Sequence, residues 1–517
     1  MAVISDAVGQ ERISRIVGYK LIKGDFSNTT PNLPQRIAIL AEANTANQAG
    51  LDVDTPRQIT NAQKAAELYG WGSPVYNIAR ILFPVSGGGT IGGIPVIVYP
   101  QAEQVGASAL KRTVTVTGTA TAAGTHYVVV AGRYTLDGDS YAVNISEGDT
   151  GTVIASKIYD VVNNVLGCPM TASVTSPLSA VTTLTSKWAS ETAGTITVSV
   201  DTGDNDLGLT YAVAETQTAA GVPTVSDSLA LFGNEWNTIV INSYLLDSTV
   251  TAELEAFNGI PDPETPTGRY AGIIFKPFVA LTGTVDDSDV DTADVLLTDA
   301  DKLNVTIAMC PAPLSPAMPM EAAANMCCLY ARKAQDTPHL DVEGSYYPDM
   351  PVPATGVPAT FDYNVRDAIV KKGMSTMLII AGKYQVQDFV TTYHPVGEVP
   401  PQFRYARDLM LDCNMRYGYW LLEQTYVVDH MIANDNDIVN VSKVIKPKQW
   451  KAIIQQYAVS QTSNGLIADT AFMQDSITVG ISTTNPNRLE TFFRYKRTGT
   501  VRIASTTAQA GFNFGTA

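Results

Sequence analysis

MLIIAGKYQVQDFVTTYHPVGEVPPQFRYARDLMLDCNMRYGYWLLEQ, residues Met377–Gln424, is the stretch on which the reading of the fold turns. Met377–Ile380 is an apolar run, Ala381-Gly382 breaks it, and Tyr384–Tyr393 comes next. Tyr384, Val386, Asp388, Val390 and Thr392 alternate imperfectly, and the pattern predicts a β-hairpin. From His394-Pro395 to Pro400-Pro401 the prolines cannot continue a ladder, so a loop is expected. A long helix then begins. Phe403, Ala406, Met410, Cys413, Tyr417, Trp420 and Leu421 recur at three- and four-residue steps and fall on one face. Arg404, Asp408, Asp412 and Arg416 mostly fall elsewhere.

Downstream, Val441–Ile445 reads as a strand and Lys448–Tyr457 as an amphipathic helix with Trp450, Ile453, Ile454 and Tyr457 inward. Ser476–Thr483, Leu489–Lys496 and Thr500–Ala504 read as strands, and Ser505–Ala517 as a small polar tail carrying Phe512 and Phe514. Upstream, alternating β and α signals predict a layered, mainly parallel α/β domain. Its pieces are a strand in Asn32–Leu40, a helix Thr60–Tyr69 closed by Gly70, and a helix opened by Ser73-Pro74 with Val75, Ile78, Ala79 and Leu82 inward. A strand Ile94–Tyr99 comes after them. The same texture resumes with strand Trp236–Ile241, helix Thr249–Phe257, strand Ala271–Val279, helix Asp289–Leu297, strand Val305–Met309 and helix Met320–Ala334.

Between these halves, Gln101–Val222 is rich in Thr, Ala, Val and Gly. Thr113–Thr119, Tyr127–Ala131, Tyr141–Ile145 and Thr195–Val200 alternate with period two, and one helix, Thr152–Val165, interrupts them. This pattern predicts an inserted β-rich domain. The expected organisation is an N-terminal arm 1–25, an α/β middle domain from 26–105 and 225–347, the insert 106–224, an α+β C-terminal domain 348–498 entered through the proline-rich Pro348–Pro358, and a C-terminal arm 499–517.

A chain of 517 residues needs more than one core. Its formal charge of −16 argues against coating nucleic acid. No apolar run approaches the ~20 residues of a membrane helix, and no signal-peptide pattern opens the chain. Cys168, Cys310, Cys327, Cys328 and Cys413 show no repeated spacing and read as reduced core thiols. Catalytic and metal signals fail on inspection. His126, His339, His394 and His430 are scattered. Ser86-Gly87-Gly88-Gly89-Thr90 lacks the Lys-Ser/Thr of a phosphate loop. Asp201, Asp204 and Asp206 lack the closing glutamate of a calcium loop and read as a turn. Gly70-Trp71-Gly72-Ser73 lacks the final glycine of a nucleophile elbow. No enzyme activity and no cofactor are expected. The aspartate run Asp286–Asp301 reads as a solvated face, with an acidic contact for a basic neighbour as the alternative.

Taken in order, these segments resemble the sheath proteins of contractile tails, and the Mu-like bacteriophage sheath family in particular. The hairpin ending in Thr391-Thr392-Tyr393 ahead of an aromatic-rich helix is similar to that family's C-terminal domain. LYGWGSPVYNIARIL (Leu68–Leu82), the strand Ile94–Tyr99, TVTGTATAAGT with SKWASETAGTI in the insert, and NPNRLETFF (Asn485–Phe493) resemble its other segments. In the family a basic residue shortly precedes TTY; here Gln387-Asp388-Phe389-Val390 stands there, and no role tied to that residue carries over. The resemblance implies six-fold rings stacked around a tail tube, with baseplate and tail-terminator proteins as partners. It implies assembly in the host bacterial cytoplasm, a place in the virion, and contraction that drives the tube through the host envelope for genome delivery. It also implies that terminal arms link neighbouring copies. Ile13, Ile16, Val17, Leu21 and Ile22, flanked by Arg12, Arg15, Lys20 and Lys23, are the N-terminal linking candidates, with an ordinary first strand of the same domain as the alternative reading of that segment, and Val501 and Ile503 are the C-terminal ones. Lys448 and Lys451 are the candidates for contact with the tube or a neighbour. Basic ends and an acidic middle favour head-to-tail association. The alternatives are a non-contractile coat protein whose insert binds a ligand, and an acidic α/β enzyme.

Overall fold

The computed structural model describes residues 31–84, 91–174, 179–262, 264–272, 274–287, 305–395 and 402–512. Two compact units emerge, one built on Glu423–Lys496 and the other on Asn32–Leu422 with Arg497–Ala517.

In the larger unit, Ile37–Glu42 reads IAILAE and all six residues are buried. A strand apolar on both sides needs a covered, parallel sheet. That sheet has six strands in the order Ile307–Pro311, Val279–Thr284, Ile239–Asn242, Ile37–Glu42, Val96–Gln101, Arg57–Ile59. Its pairs are parallel except the last, which is antiparallel. Ile37 is in register with Val96 on one side and Ile239 on the other. Side chains alternate across the sheet. Ile37, Ile39 and Ala41 pack among Val75, Ile78, Ala79 and Leu82 and the helix Pro319–Asp336. Ala38 and Leu40 pack on the opposite face with Val250 and Leu254 of the helix Ser248–Asn258, and with Phe232. Full burial of Ile37 or Ile39 contributes about 2 kcal/mol each.

The local signals act as their chemistry requires. Ser73 Oγ accepts from the Tyr76 N–H at 3.1 Å, and Pro74 opens the helix Pro74–Leu82. Asn61 caps the helix Ala62–Tyr69, which Gly70 closes at φ +95°. A Cβ there would lie 2.3 Å from the Asn44 side chain.

Several expected elements differ; the hairpin strand expected over Tyr384–Tyr393, for one, pairs with Thr376–Ile380 only over Lys383–Asp388. The strand expected over Ala271–Val279 begins instead at Val279 and runs to Thr284. Pro277 has no N–H to give a ladder, and Phe275 turns the chain at φ +36°. The long helix spans Ala406–Tyr426, but its burial ends at Gly418; Trp420 is 41 % exposed, stacked on Tyr417 at 6.0 Å. Thr500–Ala504 joins no strand among the described residues. The helix expected over Asp289–Leu297 and the glycine run Ser86–Thr90 lie outside the described residues.

The insert is a four-stranded sheet, ordered Leu209–Gln217, Ala109–Gly118, Val181–Ala189, Met170–Val174, and a three-stranded one, ordered Val198–Asp201, Gly124–Val130, Ala142–Ile145. The helix Gly151–Asn164 buries Ile154, Ile158 and Val162. Trp188 is fully buried, its indole N–H satisfied by Thr192 Oγ1 at 2.9 Å. Asp201 accepts from the Gly203 N–H and Asp206 from the Gly208 N–H, which closes tight turns. All five cysteines are buried and unbridged.

The smaller unit centres on the helix Pro447–Ser463, longer at its C-terminus than expected. Trp450, Ile454 and Tyr457 are buried and Ile453 is half-buried. The Trp450 indole donates to Thr491 Oγ1 at 3.0 Å, beside the antiparallel pair Thr478–Ile481 and Leu489–Phe492. Val444–Ile445 is all that forms of the strand expected over Val441–Ile445, and it pairs with Met431–Ile432.

One charged network holds the insert to the α/β layer. Arg80, on the helix Pro74–Leu82, reaches buried Glu321 at 2.9 Å and Asp349 at 2.9 Å. Arg133, from the insert, pairs with the same Glu321 and reaches Asp349 at 2.8 Å. Burial works against the Arg133 charge, but Glu321 and Asp349 outweigh it and raise its pKa above the ordinary value. Removing one member of a buried pair strands its partner. Arg133→Ala is therefore expected to cost about 3 kcal/mol in urea unfolding. Asp349→Asn, at a carboxylate 46 % exposed, should cost under about 1 kcal/mol.

Candidate functional site

Of the residues proposed to link copies, Ile13, Ile16, Val17, Leu21 and Ile22 lie outside the described residues. Val501 is 85 % and Ile503 80 % exposed, while Arg502 between them turns inward. Arg502 pairs with Asp341 and Glu343, and its guanidinium lies 3.5 Å from the centre of the Tyr405 ring. Burial pushes the Asp341 carboxyl up, and Arg502 pulls it back. Five residues earlier, Arg497 grips Asp412 and donates to the Gln402 carbonyl at 2.6 Å. Arg407 donates to the Thr498 carbonyl at 2.5 Å and its hydroxyl at 2.8 Å. Three arginine contacts thus fasten the segment to the body. From Val501 to Phe512 every residue except Arg502 is exposed, and the segment joins no ladder among the described residues.

Lys448 is exposed and Lys451 half-exposed, on the first turns of the helix Pro447–Ser463. Neither forms an ion pair among the described residues. Several cations of the same C-terminal third are engaged. Lys443 pairs with Asp429, Lys496 with Asp469 at 2.6 Å, Arg497 with Asp412, and Lys446 donates to the Asp437 carbonyl. Lys448 and Lys451 are thus left without an ion pair among the described residues, as is exposed Arg494, whose guanidinium lies over the Phe492 ring.

Among the described residues, no group of three or more His, Cys, Asp or Glu side chains is arranged to hold a metal ion. His394 is buried against its own backbone, with Nδ1 2.5 Å from the Thr392 carbonyl. His126 sits between the Tyr211 hydroxyl at 2.7 Å and the Asn205 carbonyl at 3.0 Å.

One group stands out that the sequence reading passed over. Glu42 ends the central strand and is fully buried, and neither carboxyl oxygen has a well-formed hydrogen bond among the described residues. Its neighbours are the hydroxyls of Ser190 and Tyr244, which offer it hydrogen bonds, and the like-charged Glu103. Burial pushes the Glu42 carboxyl up to about 7. The available signal was a lone carboxylate closing an otherwise apolar strand. The Arg80–Glu321–Arg133–Asp349 network was missed for a similar reason: Arg80 comes directly after inward Ile78 and Ala79.

No protein-family model matches the chain, and no curated protein matches it. Among solved structures, the chain is similar to the crystal structure of a sheath tail protein from Desulfitobacterium hafniense. The TM-score is 0.41 at 10 % identity, covering 93 % of this chain and 99 % of that one. It is also similar to the cryo-EM structure of the anti-feeding prophage baseplate, with a TM-score of 0.45 at 10 % identity over 97 % of this chain and 100 % of that one.

The Glu42 carboxyl gives a pH dependence of definite sign. An unfolded glutamate titrates near 4.5, the folded one near 7. Between those values the folded chain keeps a proton that the unfolded chain releases, so stability falls as pH rises from about 4.5 through 7. Glu42→Gln, which cannot ionise, should raise the melting temperature, by more at pH 8 than at pH 5. Melting curves across that range check it.

Proposed function

We propose that the chain is a structural subunit of a contractile phage-type tail sheath. It polymerises as stacked rings around a tail tube and shortens to drive the tube through a host envelope. The observation that carries the reading is the fastened but unladdered C-terminal segment, with Val501 and Ile503 turned to solvent. An extended strand with open backbone groups and apolar side chains is a template for another chain. Main-chain ladders of this kind tolerate large rotations between subunits, because the tether moves with both partners. The ordered series of sequence segments from Leu68 to Phe493 supports the same conclusion.

In this reading the N-terminal residues Ile13–Ile22 complete the partner ladder on a neighbouring copy, and Lys448 and Lys451 meet the tube or an adjacent subunit. Heterologous contacts propagate as rings or helices instead of closing as dimers. The tail tube, the baseplate and a terminator protein are the remaining partners, with no nucleic acid bound directly. Energy for shortening resides in many modest differences between two packings of the same interfaces, so no nucleotide is consumed.

Three variants test this proposal. Deleting Met1–Lys23 should leave a folded, soluble monomer that sediments as a single slow species at concentrations where the full chain polymerises. Normal polymers from the truncated chain would refute the arm's role. Val501→Asp with Ile503→Asp should likewise abolish polymerisation while shifting unfolding by no more than about 0.5 kcal/mol, because both sites are exposed. Lys448→Glu with Lys451→Glu should weaken co-sedimentation with tube protein; unchanged co-assembly would remove both lysines from the contact.

A further inference from the structure

Arg502 enters an acidic niche in the loop that follows the helix Pro319–Asp336. Asp341 and Glu343 of that loop both pair with its guanidinium. The Asp341 side chain is 3 % exposed and that of Arg502 15 %. Asp341 Oδ1 accepts from the Val342 N–H at 2.7 Å, which leaves Oδ2 for the arginine. Tyr405 closes the niche, with its ring centre 3.5 Å from the guanidinium carbon. Two carboxylates and an aromatic face suit a planar guanidinium and suit a lysine ammonium much less.

No other cation pairs with Asp341 or Glu343 among the described residues. The charges on the surrounding elements do not replace Arg502. Asp408, on the helix Ala406–Tyr426, is paired with Arg407 at 2.8 Å, and Arg407 also donates to the His339 carbonyl. Asp388, ending the strand Lys383–Asp388, accepts from Thr376 Oγ1 at 2.8 Å; Arg366 supports its charge and Asp367 opposes it. Tyr330 and Tyr405 also face Asp341, and burial holds both phenols neutral; Arg404 acts on Tyr405 alone of the two. Burial pushes the Asp341 carboxyl up, Asp408 adds to that, and Arg502 opposes both.

The arginine keeps its charge at every relevant pH, so the carboxylates are the groups that titrate. With Arg502 withdrawn, a buried aspartate stands beside a second carboxylate with no cation to offset them. Desolvation and like charge then both favour the protonated acid. Withdrawal is therefore coupled to proton uptake, and falling pH favours it.

We propose that Arg502, Asp341, Glu343 and Tyr405 form an acid-released clamp that fixes where the C-terminal segment leaves the body. Closed, it holds the chain between the exposed Val501 and Ile503. Opened, it frees the chain from Thr500 onward, while the Arg497–Asp412 pair and the Arg407–Thr498 bonds still hold the base. The clamp itself stands independently of the sheath reading; only its bearing on assembly rests on that reading.

Trypsin tests it in the full-length chain, at a dilution where the chain sediments as a monomer. Cleavage after Arg502 requires that side chain to leave the niche. The released peptide, Ile503–Ala517, is followed by mass spectrometry. Its rate is divided by that on a short arginine amide at the same pH, which removes the protease's own pH dependence. The normalised rate should be low at pH 8 and at least about tenfold higher at pH 5, with the protein still below its melting temperature. Asp341→Asn should give the high rate already at pH 8 and flatten the profile, because it strands the arginine. Glu343→Gln, in a side chain 21 % exposed, should act in the same direction more weakly, and it keeps the test open if Asp341→Asn fails to fold. A normalised rate that does not change with pH, or one unmoved by either substitution, would overturn the proposal. Neither result depends on whether the chain polymerises.

Discussion

The strand Ile37–Glu42 is the constraint on which the larger unit is built. It is buried throughout and flanked by partners some sixty residues downstream on one side and two hundred on the other. A parallel strand in that position has no exposed face, so both layers of helices must form for it to be stable. The chain must therefore leave the sheet after Gln101 and return at Ile239, and the whole β-rich insert is built inside that excursion. Such a fold is assembled from contacts remote in sequence, which makes the excursion's anchoring important. Arg133 reaching Glu321 and Asp349 supplies it, and converts an inserted module into one continuous with the sheet's helical layer. The cost is four charges in or near the interior, tolerable because each is paired more than once.

Much of this was legible. Ser73-Pro74 and Gly70 mark helix ends by capping chemistry that depends only on neighbours in sequence. The inward residues Val75, Ile78, Ala79 and Leu82 are given by spacing alone, and all four are buried. The insert strands around Val114, Val128 and Val143 show period two because one face is covered and the other wet. What sequence obscured depends on distant partners. Trp420 has the spacing of a core residue, but burial along its helix stops at Gly418. Phe275 and Pro277 sit in an apolar run that resembles a strand, yet backbone conformation delays the ladder to Val279. Glu42 and Tyr244 lie far apart along the chain and meet only through the sheet's topology.

The two lysines and the extended tail show the same limit from another direction. Lys443, Lys446, Lys448, Lys451 and Lys496 look equivalent as composition, but internal acceptors claim three of them. Thr500–Ala504 reads as a strand because its residues favour one. It forms no ladder among the described residues, while Arg497, Arg407 and Arg502 hold its base in place. A segment so held, yet turned outward at Val501 and Ile503, makes sense for a molecule whose sheets are completed between copies.

Negative-stain images of the purified full-length chain test that claim most directly. The account predicts long, transversely striated cylinders with a regular axial repeat. A field of single particles that stays monomeric as concentration rises would contradict it.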